Sequence, residues 1–227
     1  MHNDEKIAEK CIDSVMEVIK NVKGAELLIL DDGSTDQTPF ILEKMKQKYR
    51  SLLLLNHKKQ KGYGVAVQSG TYFAIREGFD YCLYLEPKPA ILPREITSFV
   101  ETIPLGYDCV KASRYMTKSK ISGPPAYKIA LSAIINSLVS FSFRIGIKDC
   151  TNVIRMIRLK KLRGLKFKEN DTSIIFEELY YLKKRQSTFK EIPYSVTERK
   201  DSLNYNHIYP KNILNLITYS FKSLFIL

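Results

Sequence analysis

The sequence predicts an α/β fold, a mainly parallel sheet flanked by helices, and three observations carry that prediction. Apolar runs of four or five residues alternate with longer stretches of helical period, the pattern of stacked βαβ units. The turn residues gather just after those runs, where open parallel sheets place their ligands. At 227 residues and 44% hydrophobic content, the chain can bury a core of its own without staples.

Taken in order, Ile7, Cys11, Val15, Val18, Ile19 and Val22 recur at helical spacing, with Asn3 or Asp4 as candidate cap. Leu27 to Leu30 is too short and too apolar for anything but a buried strand. A helix is expected from about Thr38, with Phe40, Ile41, Leu42 and Met45 on one side. Leu52 to Leu55 repeats the strand pattern and ends at Asn56. A basic loop, His57 to Gly64, leads into a helix ending near Glu77, and Tyr81 to Leu85 forms the third strand. Beyond Pro104 the rhythm changes. Strands are expected at Cys109 to Ala112, Val153 to Ile157 and Phe189 to Val196, with helices from about Pro125, at Ile174 to Lys184 and at Ile213 to Leu227. No repeat or linker interrupts the chain. It reads as one domain, 1–227, with a first half at 1–105, a second at 106–205 and an amphipathic helix at 206–227.

Composition excludes several classes. Ten glycines and nine prolines do not make a collagen-like or low-complexity chain. The four cysteines stand singly, which argues against a structural zinc site or a disulfide framework and for a reducing, cytoplasmic setting. The net charge of +12 is uneven: residues 1–100 hold 14 basic and 14 acidic groups, so residues 101–227 carry the whole excess. Such a half expects an anionic partner. No nucleic-acid recognition motif accompanies the charge, so nucleic acid is not the expected one. The longest uncharged stretch, Ile129 to Phe143, has 15 residues, short of the ~18–20 that span a bilayer. With Lys128, Arg144, Lys211 and Lys222 at their edges, this stretch and Ile213 to Leu227 fit helices lying on an anionic membrane surface. The run Arg155, Arg158, Lys160, Lys161, Arg163, Lys166 and Lys168 reads as a solvated or membrane-facing face.

The sharpest motif is Asp31-Asp32-Gly33-Ser34-Thr35-Asp36, directly after a strand and before a helix. Two carboxylates at a strand end repel each other and desolvate badly, yet they can accept hydrogen bonds from a base or ribose or help hold a metal. Gly33 permits the tight turn, and Ser34, Thr35 or Asp36 can cap the next helix. A bare Asp-Gly turn with a helix cap is the plainer alternative.

The strand plus this hexapeptide resembles the nucleotide-sugar site of the family 2 glycosyltransferases, which have the GT-A fold. Other segments fit in order. His2-Asn3-Asp4-Glu5 resembles the family's opening Asn-Glu turn, and Lys61-Gly62-Tyr63-Gly64-Val65-Ala66 its glycine-rich loop. Ser113-Arg114-Tyr115, Asp149-Cys150-Thr151-Asn152 with Arg155, then Glu177, Glu191-Ile192-Pro193 and Arg199 resemble motifs of the dolichol and polyprenyl-phosphate mannose synthase group. The resemblance implies a GT-A-like domain and inverting transfer of a hexose from a nucleoside diphosphate sugar to a polyprenyl phosphate, peripherally on the cytosolic membrane face. It assigns Asn3, Asp31, Asp32, Gly33, Ser34, Lys61 and Gly64 to the nucleotide sugar, and Arg114, Lys128, Ser132 and Arg199 to the acceptor phosphate.

The departures are specific. Met1 falls where the family's first strand would be ending, so either the chain is truncated there or the sheet lacks that central strand. The metal-binding Asp-x-Asp is Glu86-Pro87-Lys88, the Gln often found two residues later is Ala90, and the late Gly-x-Ser is Ser202-Leu203-Asn204. Glu86 can ligate a divalent ion such as Mg²⁺ or Mn²⁺; Lys88 cannot. A lysine ammonium can take over part of the metal's work on the departing diphosphate, which would make Glu86 and Lys88 the catalytic pair and the reaction metal-independent. The alternative is a non-catalytic glycosyltransferase-like binding protein with a degenerate metal site.

Overall fold

The computed structural model describes residues 1–88, 93–122, 125–197 and 210–226; Ala90, Arg199 and Ser202-Leu203-Asn204 lie outside the described residues. Helix α1 (Ala8–Ile19) turns Ala8, Cys11, Ile12, Val15, Met16, Val18 and Ile19 inward. Neither expected cap closes it by its side chain. The Asp4 carbonyl accepts from the N–H groups of Ile7 and Ala8 instead (2.9 Å each). The Asp4 carboxylate accepts from His2 N–H, and the Asn3 amide reaches across to Thr35.

Strands β1 (Leu27–Asp31) and β2 (Leu52–Asn56) pair in parallel, Leu27 opposite Leu52 and Asp31 opposite Asn56, with helix α2 (Thr38–Lys48) crossing between them. Ile12, Leu42, Met45 and Leu52 are fully buried between α1, α2 and this pair, each side chain stabilising by about 1.5–3 kcal/mol. Helix α3 (Tyr63–Arg76) leads to β3 (Tyr81–Tyr84). Helix α4 (Pro93–Val100), which the sequence reading passes over, buries Ile96 and Phe99 and packs on α1.

The remaining elements are β4 (Cys109–Ser113), β5 (Ile121–Ser122), α5 (Ala126–Phe143), β6 (Arg155–Arg158), α6 (Ile174–Lys184), β7 (Phe189–Pro193), β8 (Val196–Thr197) and α7 (Pro210–Leu224). Four strands form one sheet in the order β3-β6-β4-β7, in which β6 runs against both neighbours and β4 and β7 run together. The expected strand from Phe189 to Val196 is therefore two, broken at Tyr194 and Ser195, because β8 leaves to pair with β5. Among the described residues, β1–β2 and the four-stranded sheet are separate sheets.

Two sequence expectations are corrected here. Helix α5 runs 18 residues from Ala126 and is, among the described residues, long and apolar enough by length and composition to cross a membrane. The three residues before the uncharged stretch join the same helix. One stripe of it, Asn136, Val139 and Phe143, is buried beneath α6 and α7. Arg155, expected on a solvated face, is 1% exposed, because Glu178 from α6 meets it inside the core.

Candidate functional site

The carboxyl end of β1 is a knot of hydrogen bonds. Asp31 Oδ1 accepts from the Ser34 amide (3.1 Å) and hydroxyl (2.5 Å). Asp32 serves a different loop: its Oδ1 accepts from His57 Nδ1–H (2.6 Å) and Lys61 N–H (3.0 Å), and its Oδ2 from Gly62 N–H (2.8 Å). A carboxylate can only accept, so a proton sits on His57 Nδ1, while Nε2 lies within hydrogen-bond distance of the Ser69 hydroxyl (3.0 Å). Burial pushes the Asp32 pKa up, but the His57 contact and the two loop amides outweigh it and hold the group below the usual carboxylate range. Asp32, expected at the nucleotide, is thus first a brace that shapes the glycine loop.

Glycine is required where the loops touch. Gly33 has φ 71°, and a Cβ on it would lie 2.4 Å from the Lys59 carbonyl carbon. Gly64 donates its N–H to Asn170 O (3.0 Å), and a Cβ there would lie 2.4 Å from Glu169 O. Asn3, with φ 54°, accepts the Thr35 N–H on its side-chain oxygen (2.8 Å) and donates its own N–H to Ser34 Oγ (2.9 Å). Asn3, Asp31, Asp32, Gly33, Ser34, Gly62 and Gly64 are therefore brought to one place. Lys61 joins them by its backbone, its side chain being exposed.

Tyr63, opening α3, links this knot to the second half. Its hydroxyl accepts from Arg155 Nη1 (3.2 Å), and Arg155 forms a two-point pair with Glu178 (2.5 and 2.8 Å) while lying 4.2 Å over the Tyr84 ring. No signal in the chain marked Glu178, whose partner lies 23 residues away.

Two of the residues expected at the acceptor phosphate, Arg114 and Ser132, lie in a second network. Arg114 grips the buried Asp149 through Nε and Nη2 (2.7 and 2.8 Å), and Nη2 also reaches Thr151 Oγ1 (2.9 Å). Asn136 of α5 meets Thr151 twice, its amide donating to Oγ1 (3.0 Å) and its oxygen accepting from the backbone N–H (3.0 Å). The Tyr115 hydroxyl donates to Ser132 Oγ (2.8 Å), and Glu191 accepts the N–H groups of Lys148 and Asp149. Arg114 and Ser132 thus share one network, whereas Lys128 is exposed at the start of α5, outside it. Asn136 is the member of this network that the sequence reading missed; its sign was a polar residue on the buried stripe of an apolar helix.

After β3, Glu86 is exposed, and Lys88 Nζ donates to Glu95 Oε1 (2.6 Å) and the Tyr194 hydroxyl (3.1 Å). Burial pulls the Lys88 pKa down, but Glu95 and Tyr194 more than restore it, so the ammonium stays charged. A cavity of about 210 Å³ lies behind this pair, lined by Arg94, Glu95, Ser98, Lys118 and Tyr194 among others. A divalent ion does not fit the donor set. The loop offers one carboxylate, with a cation two residues on, and Asp32 is engaged with His57 and the loop amides. Among the described residues no group of three or more acidic, His or Cys side chains is placed to hold a metal ion.

With this geometry in view, comparison with known proteins is informative. The chain is 25% identical over 178 residues to the dolichol-phosphate mannosyltransferase of Pyrococcus furiosus, covering 75% of this chain and 47% of that protein. It is 27% identical over 79 residues to a dolichyl-phosphate beta-glucosyltransferase of Trichomonas vaginalis, 32% of this chain and 24% of that one. The chain thus spans about half the length, or less, of these curated relatives. In three dimensions it is similar to glucosyl-3-phosphoglycerate synthase from Mycobacterium tuberculosis, solved with Mn²⁺, uridine diphosphate and phosphoglyceric acid: TM-score 0.69 at 16% identity, covering 100% of this chain and 77% of that one. That likeness shows a GT-A-like fold. The sequence profile described as Glycosyl transferase family 2 matches residues 1–165, and the chain belongs to that family.

Proposed function

We propose that this chain transfers a hexose, with inversion, from a nucleoside diphosphate sugar to a polyprenyl (dolichyl-type) phosphate at the cytosolic membrane face. The observation that carries the reading is the brace of Asp32 on the Lys61 and Gly62 amides, which fixes a glycine loop beside Asp31 at a strand end. The dolichol-phosphate relatives favour a lipid phosphate acceptor; the phosphoglycerate-using fold relative keeps other phosphates in play.

The acceptor phosphate is already ionised, so attack on the sugar's C1 needs no strong general base. What it needs is a fixed acceptor and stabilisation of charge on the departing diphosphate. On this reading Asp31 and Asn3 hold the nucleoside, Asp32 holds the loop, and Lys88 faces the leaving group as a point charge. The Arg114–Asp149 pair orders the acceptor side, and the exposed Lys128 supplies an unspent cation near it.

One observation favours the second reading, a binding protein without turnover: Lys88 already shares its charge with Glu95. Lys88→Ala separates the two. In an active enzyme the rate is expected to fall at least about a hundredfold, in line with losing one charge-stabilising donor, with nucleotide affinity changed far less. In a relic the parent shows binding without transfer, and the variant binds like the parent.

The membrane placement rests on α5 and α7, which pack side by side and expose Leu131, Ile134, Leu138, Phe141, Leu214, Ile217 and Phe221, with the exposed Phe225 just past the end of α7. Vesicle flotation is expected to depend on anionic lipid and to weaken with salt. Ile217→Ser with Phe221→Ser is expected to reduce binding at least about tenfold, each lost side chain being worth about 1.5–3 kcal/mol when buried. Tyr219 and Asn215, which anchor α7 to Glu169, are left untouched so that the helix stays docked. Equal flotation of parent and variant would rule the surface out.

A further inference from the structure

Helix α3 turns one stripe, Ser69, Tyr72, Phe73 and Arg76 at i, i+3, i+4 and i+7, toward the end of β2. With Leu55, Asn56 and His57 this stripe lines a cavity of about 390 Å³, within the ~300–1,000 Å³ of small-molecule sites. Asn3, Asp31, Ser34, Lys61, Gly62 and Gly64 do not line it, so it opens apart from the knot at the end of β1.

A relay of three side chains ends at this wall. Asp32 Oδ1 accepts from His57 Nδ1–H (2.6 Å), and His57 Nε2 lies 3.0 Å from Ser69 Oγ. In the neutral ring, a proton on Nδ1 leaves the Nε2 lone pair for the serine proton. A hydroxyl, a base within hydrogen-bond reach and a carboxylate that orients the base form the arrangement that activates serine, and it is known by geometry rather than by place in the chain. The base is held from both ends: Asp32 is fixed by the Lys61 and Gly62 amides, and His57 N–H donates to Asp31 O (2.9 Å).

Ser69 departs from the habit of hydroxyls inside helices. Thr71, Ser142 and Thr218 each donate to the carbonyl four residues back (2.7, 2.9 and 2.9 Å), the ordinary use of such a group. Ser69 faces His57 instead, and it is only half-buried, at the wall of the cavity. Leu55, Tyr72 and Phe73 give the cavity an apolar side that suits a small acyl group. Its polar side is Asn56 and Arg76, exposed side chains rather than a fixed pair of amides, so an oxyanion there is weakly held and turnover is expected to be slow.

We propose that Ser69 is the nucleophile of a second activity, acyl transfer from a small apolar ester bound in this cavity, with His57 as its base and Asp32 holding the imidazole. Ser69 Oγ bonds to the ester carbonyl carbon as its proton passes to His57 Nε2. The carbon–oxygen bond to the alcohol then breaks, and the alcohol leaves with the proton from Nε2. Water repeats the sequence on the acyl-serine, which restores the hydroxyl and releases the carboxylic acid. The chemistry uses no nucleotide, so it stands or falls separately from hexosyl transfer.

The test incubates the full chain with p-nitrophenyl butyrate and, separately, with a fluorophosphonate probe that traps activated serines. A burst of about one equivalent of nitrophenol per chain is expected before slow steady release, with a single butyryl group mapped to Ser69 by peptide mass spectrometry and the probe on the same residue. Ser69→Ala, a change that a helix tolerates well, is expected to remove the burst and to cut probe labelling at least about a hundredfold, whereas Ser69→Cys keeps the burst. His57→Gln retains a side-chain amide beside Asp32 but cannot take the proton, and is expected to slow the burst at least about a hundredfold. Butyryl found on Lys58, Lys59 or any residue other than Ser69 overturns the proposal. So does a burst that survives Ser69→Ala, or a parent chain that neither reagent modifies.

Discussion

Arg155→Met is expected to cost about 3–5 kcal/mol of folding stability, because it leaves the Glu178 carboxylate buried without its partner. Both side chains are 1% exposed, so water cannot take the place of the guanidinium. The loss should appear as a lower urea midpoint at pH 7 with little change in slope. The double variant Arg155→Met with Glu178→Leu removes both charges and is expected to recover most of the loss, since a well-packed apolar pair often replaces a buried ion pair at little cost. A single variant within about 1 kcal/mol of the parent would mean that the pair is not the anchor its geometry indicates. The same arginine supports Tyr63 and Tyr84, so any refolded variant should also bind nucleotide more weakly.

Asp32→Asn is expected to weaken nucleoside diphosphate binding at least about tenfold, since one of the bonds it holds is replaced by an amide facing an amide, and such charge-assisted bonds contribute about 1.5–3 kcal/mol each. Calorimetric titration at pH 7 measures it directly. The variant also tests a pH dependence. The Asp32 pKa is lowered on folding, so its contribution is complete above the unfolded value of about 4 and is lost as pH falls through the folded value. The urea midpoint of the parent should therefore fall below about pH 4 more steeply than that of the variant. Equal affinity for nucleotide in the two proteins would remove Asp32 from the site.

The halves of the chain were not equally legible. β1, α2, β2 and α3 follow from local signals: apolar runs too short for helices, turn residues directly after them, and glycines at positions where a Cβ would strike backbone. The strand-end carboxylates could be read as a site for the same reason. What escaped was set by residues distant in the chain. Arg155 sits among basic neighbours and looks solvated until Glu178 arrives from α6. Lys111, in the middle of β4, is fully buried because the carbonyl of Asn152 accepts its ammonium (2.7 Å). The pairing of Arg114 with Asp149, 35 residues later, could not be read from the motif that carries the arginine. Helix α4 has only eight residues, too few to display a period, and its inward face exists because α1 is there to meet it. Helix α5 begins where it was expected, and its spanning length was missed because the uncharged stretch was counted only from Ile129, past Lys128.

Hexosyl transfer itself is tested most directly by incubating the parent chain with polyprenyl phosphate in anionic vesicles and a panel of nucleoside diphosphate hexoses labelled in the sugar, with and without EDTA. Labelled lipid and free nucleoside diphosphate are expected in equal amounts from at least one donor. Transfer should persist in chelator, because the Glu86-Pro87-Lys88 loop does not supply the paired oxygen ligands a divalent ion needs. Binding of the donors with no labelled lipid from any of them would contradict the assignment and leave a nucleotide-sugar-binding protein in its place.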